Sequence, residues 1–350
     1  MAERIPVGVL GATGAVGQKF VTLLENHPWF ELTELAASDR SAGKSYKDAT
    51  VWRQYKPIPE RLKDRTVKPC DPALDCRVVF SGLDSSVAGE VEESFARAGH
   101  LVLSNSKNHR MDEDVPLLIP EVNPDHLDLI KVQRELRGWS GAIVTNPNCS
   151  TIGLVMALAP IHRAFGVKRV IVATMQALSG AGYPGHSAID MLGNVIPFIS
   201  GEEDKVETEP LKIMGALDGD RIRFADCRIS AHTNRVFVED GHMECVSLEL
   251  DKKATPDDVA DVLARFSSLP QELKLPSAPE RPVIVTDEKD RPQPRFDRDA
   301  GNGMSAVVGR IRECPVFDIR LVVLSHNTIR GAAGAAILNA ELMKAKGLLD

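Results

Sequence analysis

The sequence predicts an α/β fold in two units, a parallel sheet wrapped by helices and then an α+β unit on a larger mixed sheet. Three observations carry that prediction. A chain of 350 residues is too long for one ordinary core and suits two. Its first third alternates short apolar runs with helical patterns, the rhythm of βαβ units. Beyond Cys149 the texture shifts to longer segments with period-two alternation and helices between them. The boundaries expected from this are 1–148 and 149–326, with a closing segment at 327–350.

In chain order, "IPVGVLG" reads as a strand, "AVGQKFVTLLENH" as a helix, "FELTELAAS" and "CRVVFSG" as strands, and "VAGEVEESFARAG" as a helix. "HLVLSN" and "GAIVTN" are further strands, and the second leads straight into Cys149. In the second unit, "VKRVIVATMQ", "RVFVEDGHMECVSLEL" and "FDIRLVVLS" read as strands. Residues 287–303, charged and carrying Pro and Gly, read as an exposed loop, and "NTIRGAAGAAILNAELMKAKG" as an Ala-rich helix with a basic end.

The glycines of "GVLGATGAVGQKF" stand at positions 11, 14 and 17, after the strand Ile5 to Leu10 and at the opening of a helix. Glycines there let the backbone approach a pyrophosphate, which the free N–H groups and dipole of a helix start favour. The context of strand, glycines and helix makes Gly11, Thr13, Gly14, Ala15, Val16 and Gly17 a candidate dinucleotide loop of Rossmann-like type. At the end of the second strand stand Ser38, Asp39, Arg40 and Ser41. Two hydroxyls and a guanidinium suit the 2′-phosphate of NADP, while Asp39 is the residue that would suit the ribose hydroxyl of NAD. NADP is the reading adopted.

Composition excludes several classes. A net charge of −7 and a pI near 5.8 offer no general attraction to nucleic acid or to an anionic membrane. The start of the chain lacks a basic-then-apolar leader, and no window is long and apolar enough to span a bilayer, so a cytoplasmic enzyme is expected. The six cysteines, at 70, 76, 149, 227, 245 and 314, form no CxxC pair, so neither a disulfide framework nor a metal site is expected. A cysteine so placed is most often a small buried hydrophobe.

Cys149 is the exception. In "TNPNCST", Pro147 disfavours helix at Asn146 and an apolar helical pattern begins at Ser150, so Cys149 falls at a helix N-terminus. The dipole and free amides there are expected to favour the thiolate and lower the thiol pKa, which makes a nucleophile if a base lies near. Among nine histidines, His242 stands out because a turn at Asp240-Gly241 separates it from Arg235 on "NRVFVEDGH". Alternation along Arg235 to Val238 and that turn would aim both into one cleft. Gln176 ends an otherwise apolar strand. Glu202 and Lys205 share a helix face at i and i+3, although a solvated surface pair explains them equally well. "SNSKNHRM" gathers Ser106, Lys107, Asn108 and Arg110 after a strand, either an oxyanion site at the sheet's carboxyl edge or a plain polar loop.

Together "GATGAVG", "SNSKNHRM", "PEVN", "NPNCST", "QALSGAGYPG", "GEEDKVE", "NRVFVEDGH" and "NTIRGAAG" run through essentially the whole chain in one order. In this the chain resembles the aspartate-β-semialdehyde dehydrogenases, in the branch familiar from archaea and fungi. The resemblance implies a second domain that is both catalytic and the site of dimerisation, in a homodimer or homotetramer. It implies a reversible reaction between aspartate semialdehyde, phosphate and NADP⁺ on one side and β-aspartyl phosphate and NADPH on the other. That reaction feeds lysine, methionine, threonine and isoleucine synthesis. By motif, Cys149 would be the nucleophile, His242 the acid/base and Gln176 the group that orients the acyl intermediate. Arg235 would hold the substrate α-carboxylate and Glu202 its amino group. Lys205, Ser106, Asn108 and Arg110 would bind phosphate. Ser179 and Gly180 would join the cofactor residues, and Asn327 and Gly331 would bring the final segment back to the cofactor domain. Malonyl-CoA reductases share the expected fold and thiol chemistry, but their substrate has no amino group to employ Glu202. A dinucleotide-binding sensor without activity is the other alternative, and the intact set of Cys149, His242 and Arg235 argues against it.

Overall fold

In a computed structural model, which describes residues 4–349, apolar runs from the first third of the chain assemble into a sheet with no face left to solvent. Met1–Glu3 and Asp350, at the ends of the expected 1–148 and 327–350 spans, lie outside the described residues. The strands are β1 (Ile5–Leu10), β2 (Phe30–Ala37), β3 (Lys68–Pro69), β4 (Val78–Ser81), β5 (Leu101–Ser104) and β6 (Ala142–Thr145). They pair in parallel in the order β3-β2-β1-β4-β5-β6. β4, β5 and β6 are buried at every position, as strands covered on both faces must be. The order turns back at the β1/β4 pair, the switch point at which such sheets open a crevice beyond their carboxyl ends.

Helices Ala15–Leu23, Ser85–Arg97 and Leu129–Arg137 follow β1, β4 and β5. The final segment departs from the expected single helix. It opens as a π-turn, Ile329–Ala333, and becomes α-helical only over Gly334–Ala345. Its Ala336, Ile337 and Ala340 pack into the same core as Leu101, Leu103 and Val144.

The second sheet comprises β7 (Val167–Gln176), β10 (Arg228–Arg235), β11 (His242–Leu250), β12 (Val283–Thr286), β13 (Ala306–Glu313) and β14 (Ile319–Ser325), with a small hairpin of β8 (Ala216–Asp218) and β9 (Arg221–Arg223) set apart. Its order is β10-β7-β11-β14-β13-β12, antiparallel in the middle and parallel at both edges. Helix Cys149–Phe165 is apolar nearly all round and crosses one face, burying Ile152, Leu154, Val155, Leu158 and Ile161 against Val172, Val246, Leu248, Leu321 and Val323. Each such side chain contributes roughly 1.5–3 kcal/mol by leaving water. Polar side chains buried on that same face are therefore costly, and they mark the site.

Two expectations are corrected. The run "RVFVEDGH" is not one strand: β10 ends at Arg235, and residues 236–241 form a connection whose Gly241 takes φ 103° before β11 begins at His242. Residues 287–303 are not an open loop either. They contain a short helix, Pro294–Asp297, pinned by the Arg291–Asp297 ion pair, and they pack on the Asp240-Gly241 corner through Pro294 and Arg298.

Candidate active site

The register of the mixed sheet draws distant residues into one row. Arg235 on β10 pairs with Gln176 on β7, Met243 pairs with Met175, and His242 on β11 pairs with Ser325 on β14. Arg235, Gln176, His242 and Ser325 thus stand side by side across four strands, all buried. Arg235 and His242 meet through the sheet, not through alternation along a single strand. Gly180, in the turn after β7, lies over them: a Cβ there would stand 2.9 Å from the Arg235 guanidinium and 3.1 Å from the His242 ring.

Cys149 is the first residue of helix Cys149–Phe165, as the sequence predicts, and its sulfur is 3.2 Å from His242 Nε2. The Ala177 N–H donates to His242 Nδ1 at 3.0 Å, so the neutral ring carries its proton on Nε2 and offers it to the sulfur. Burial, and then the Arg235 guanidinium, hold His242 down to about 3, so the ring is neutral at physiological pH. The expected low thiol pKa is corrected. Burial, and then the Glu202 carboxylate, push the Cys149 thiol up to about 12, although Arg235, Arg110 and Lys205 pull it down. The helix start does not reverse this because Asn148 caps it, its Oδ1 accepting from the Ser150 and Thr151 amides at 2.9 and 3.2 Å. Two of the amides expected to serve a thiolate are already spent.

Helix Glu202–Ile213 supplies the charged wall. Glu202 is only 5% exposed, with Oε1 accepting from Asn148 Nδ2 and Oε2 from Lys205, so the pair is no solvated surface contact. Burial works against its ionisation, but Lys205, Asn148 and His242 hold the carboxyl below its ordinary value. Two turns further, Glu209 accepts from the Asn148 backbone N–H at 2.6 Å and from Arg110 at 2.8 Å. Lys212 donates to the carbonyls of Arg110, Asp112 and Val115, which fixes the loop that holds Arg110. Ser106 and Asn108 in that loop bond to each other, and Asn108 also donates to the Ser85 carbonyl. The cations Lys205, Arg110 and Arg235 therefore converge on Cys149, while Asn108 faces its own loop.

At the β1/β4 crevice the glycines let the turn pack closely on neighbouring main chain. A Cβ on Gly11 would meet the Gly82 carbonyl oxygen at 2.8 Å, and one on Gly17 would meet the Gly11 oxygen at 2.1 Å. Gly14, the N-cap of helix Ala15–Leu23, provides no side-chain cap, so the first amides of that helix are free, in contrast to those beside Cys149. Thr13, Ala15 and Val16 are partly exposed around them. The turn after β2 presents Ser38 and Arg40 to solvent, with Ser41 beside them and its N–H on the Ser38 carbonyl. This donor set suits a pyrophosphate at the helix start and a further phosphate at Arg40. Asn327 ties the turn after β7 to the corner before β11: its Nδ2 donates to Ser179 Oγ at 2.7 Å and its Oδ1 accepts the Gly241 N–H at 2.8 Å.

Sequence reasoning missed Asn148 and Glu209, whose signals were present. Asn before an apolar helical run is a preferred cap. Glu202, Lys205, Glu209 and Lys212 repeat at helical spacing along one face. The other cysteines are less uniform than small buried hydrophobes would be. Cys76 and Cys227 are buried, Cys245 is exposed, and all six cysteines are free.

A crevice with free helix-start amides, beside a partly buried cysteine in contact with a buried imidazole and ringed by cations, fits an oxidoreductase. The family model described as "Semialdehyde dehydrogenase, NAD binding domain" matches residues 6–130, and "Semialdehyde dehydrogenase, dimerisation domain" matches residues 158–330. The aspartate-semialdehyde dehydrogenase of Archaeoglobus fulgidus is 56% identical over 341 residues, 97% of this chain and 98% of that one. That of Schizosaccharomyces pombe is 49% identical over 352 residues, 98% of this chain and 99% of that one. The crystal structure of the Candida albicans aspartate semialdehyde dehydrogenase with NADP superposes with a TM-score of 0.91 at 45% identity, over 99% of this chain and 100% of that one. The chain belongs to the aspartate-semialdehyde dehydrogenase family.

Proposed function

We propose that the protein converts L-4-aspartyl phosphate to L-aspartate 4-semialdehyde and phosphate, reversibly and with NADP, through a thioester on Cys149. The observation that carries the mechanism is the 3.2 Å contact between the Cys149 sulfur and His242 Nε2 in a row with Gln176 and Arg235. A division at 148/149, with 327–350 completing the cofactor unit, accords with the helix Gly334–Ala345 lying in the first core.

The sulfur of Cys149 attacks the acyl carbon, the bond to the phosphate oxygen breaks, the thiol proton leaves with the departing phosphate, and a thioester replaces the acyl phosphate. Lys205 and Arg110 are the cations within reach of the departing phosphate, with Ser106 and Asn108 on the same loop. Arg235 receives the α-carboxylate as a fork, and Glu202 the amino group. Gln176 orients the acyl oxygen. When bound, NADPH supplies the hydride that reduces the acyl carbon. His242 Nε2–H, aimed at the sulfur, holds negative charge there and then on the neighbouring oxygen, and His242 serves as acid/base as the C–S bond breaks. Gly11 to Gly17, Ser38, Arg40, Ser41, Ser179, Gly180, Asn327 and Gly331 are the residues that would seat the dinucleotide. His242 and Gln176 are each 1% exposed, so the wall beside the partly buried Cys149 is dry on the side of the sheet.

The dimerisation-domain match supports a homo-oligomer. We infer a homodimer or homotetramer from the exposed Tyr183, Ile189, Leu192, Val195 and Phe198, an apolar segment unusual for a free surface. Among the described residues no helix is long and apolar enough to cross a membrane, and a cytoplasmic setting is proposed. The deciding assay is reduction of NADP⁺ by aspartate semialdehyde with and without phosphate, repeated with NAD⁺. Turnover independent of phosphate would sink the thioester phosphorolysis, and strong turnover of malonyl-CoA without any of the semialdehyde would sink the substrate.

A further inference from the structure

Arg330 is completely buried, its guanidinium forked on the Glu121 carboxylate at 2.7 and 2.6 Å, with Nη2 3.3 Å from the Met156 sulfur. The reaction scheme above uses neither charge. Burying two charges roughly breaks even against apolar side chains of the same size, so stability alone is a poor reason for the pair.

Its place in the chain offers a better one. Arg330 sits in the π-turn Ile329–Ala333, where the Gly331 and Ala333 amides reach back to the His326 and Thr328 carbonyls. Such turns are uncommon and concentrate at functional sites. This one presses Gly331 onto the nucleophile: a Cβ there would stand 2.9 Å from the Cys149 Cβ and 3.1 Å from its Cα. The turn and the residue two places before it hold two other parts of the site. Asn327 accepts the Gly241 amide beside His242, and the Ala332 carbonyl accepts Asn146 Nδ2 at 2.9 Å, three residues before Cys149. Met156 lies two helical turns beyond Cys149 on the same face. Arg330 therefore touches the Glu121 segment and the nucleophile helix from inside the turn that packs on Cys149.

We propose that the Arg330–Glu121 pair is a positioning clamp, which holds the π-turn so that Gly331 fixes the Cys149 side chain against His242. The clamp rests on the reading of Cys149 as the nucleophile. Relaxation of the turn frees the sulfur to leave the 3.2 Å contact with His242 Nε2 and admits water to it. Catalysis falls while access to the thiol rises.

The test is a double variant, because Arg330→Leu alone strands a buried carboxylate and invites misfolding. Arg330→Leu with Glu121→Met removes both charges and keeps the volume. It is expected to unfold within a few degrees of the parent and yet lose about ten-fold or more in kcat, as misplacement of a reacting group does. Iodoacetamide is expected to alkylate its Cys149 about three-fold faster or more, with the other cysteines unchanged by peptide mapping. Arg330→Lys, which keeps the charge without the fork, is expected to fold and to fall between the two. Parent-like kcat and alkylation in the double variant overturn the clamp and leave an inert core pair. Faster alkylation of every cysteine also overturns it, since that reports general loosening. A parent inactive on aspartate semialdehyde whose Cys149 still responds as stated overturns the substrate and upholds the clamp.

Discussion

On the parallel sheet the groups proposed for the pyrophosphate are main-chain amides from one short stretch, Gly11 to Gly17, left free because Gly14 caps nothing. On the mixed sheet the proposed reacting and substrate-holding groups are side chains from strands and helices far apart in the chain, and most are already hydrogen-bonded within the protein. Helix starts serve both halves, in opposite states. The one after β1 is uncapped and open to an anion, whereas the one at Cys149 is closed by Asn148 and Glu202. The difference teaches that a helix N-terminus is a binding element only where its amides are unspent. At Cys149 the helix mainly positions the sulfur, and the charge on it is governed by burial and by neighbouring side chains.

The largest effects should come from the side-chain half. Cys149→Ala removes the proposed nucleophile and should lower kcat by about 10⁴-fold or more. NADP⁺ binding, followed by nicotinamide or protein fluorescence, should persist, because the crevice at β1/β4 is built without Cys149. Retention of a substantial rate by this variant would falsify the thioester mechanism.

Next comes the backbone half. Gly17→Ala places a methyl 2.1 Å from the Gly11 carbonyl, a contact that only a shifted loop can relieve. NADP⁺ affinity should fall by about a hundred-fold or more, as when donors are moved off their ligand. Iodoacetamide should still modify Cys149 at the parent rate. Joint loss of both would mean that the halves are less separable than their construction suggests.

Legibility followed the same division. The strand, glycine turn and helix at the start of the chain were readable because they are contiguous, and the placement of Cys149 was readable from Pro147 and the apolar run that follows. The row of Arg235, Gln176, His242 and Ser325 was not, because it exists only through sheet register, which depends on pairings across 149 residues from Gln176 to Ser325. The residues could be nominated by motif, but their meeting could not be derived. The thiol pKa was misjudged for a related reason. The dipole is a local feature, while the burial that outweighs it comes from residues as distant as Gly331. The π-turn also escaped, since an Ala-rich run reads as plain helix.

A smaller effect tests specificity within the backbone half. Arg40 is exposed after β2 and is the cation proposed for the 2′-phosphate. Arg40→Ala should raise KM for NADP⁺ roughly ten- to a hundred-fold, the worth of a charge-assisted hydrogen bond, and leave KM for NAD⁺ unchanged. Equal losses with both cofactors would move the 2′-phosphate elsewhere or assign NAD to Asp39.

The smallest effect concerns charge at the closed helix start. The Cys149 thiol lies up near 12, by burial first and by Glu202 second. A raised thiol pKa means that the thiolate fraction, and with it the alkylation rate of the free enzyme, climbs with pH across the neutral and alkaline range instead of levelling near 8.5. Glu202→Gln removes the second cause and leaves the first, while its amide oxygen can still accept from Asn148. The thiol pKa should therefore fall but stay above that of an ordinary cysteine. At a fixed pH below both values, alkylation should speed up on the order of three- to ten-fold, since one pKa unit is a factor of ten in thiolate. Arg235→Met removes a cation and should move the profile the other way. Profiles that do not separate in these opposite directions would show that the helix start, and not the side chains around it, sets the charge on sulfur, and the contrast between the two halves would fail at its central point.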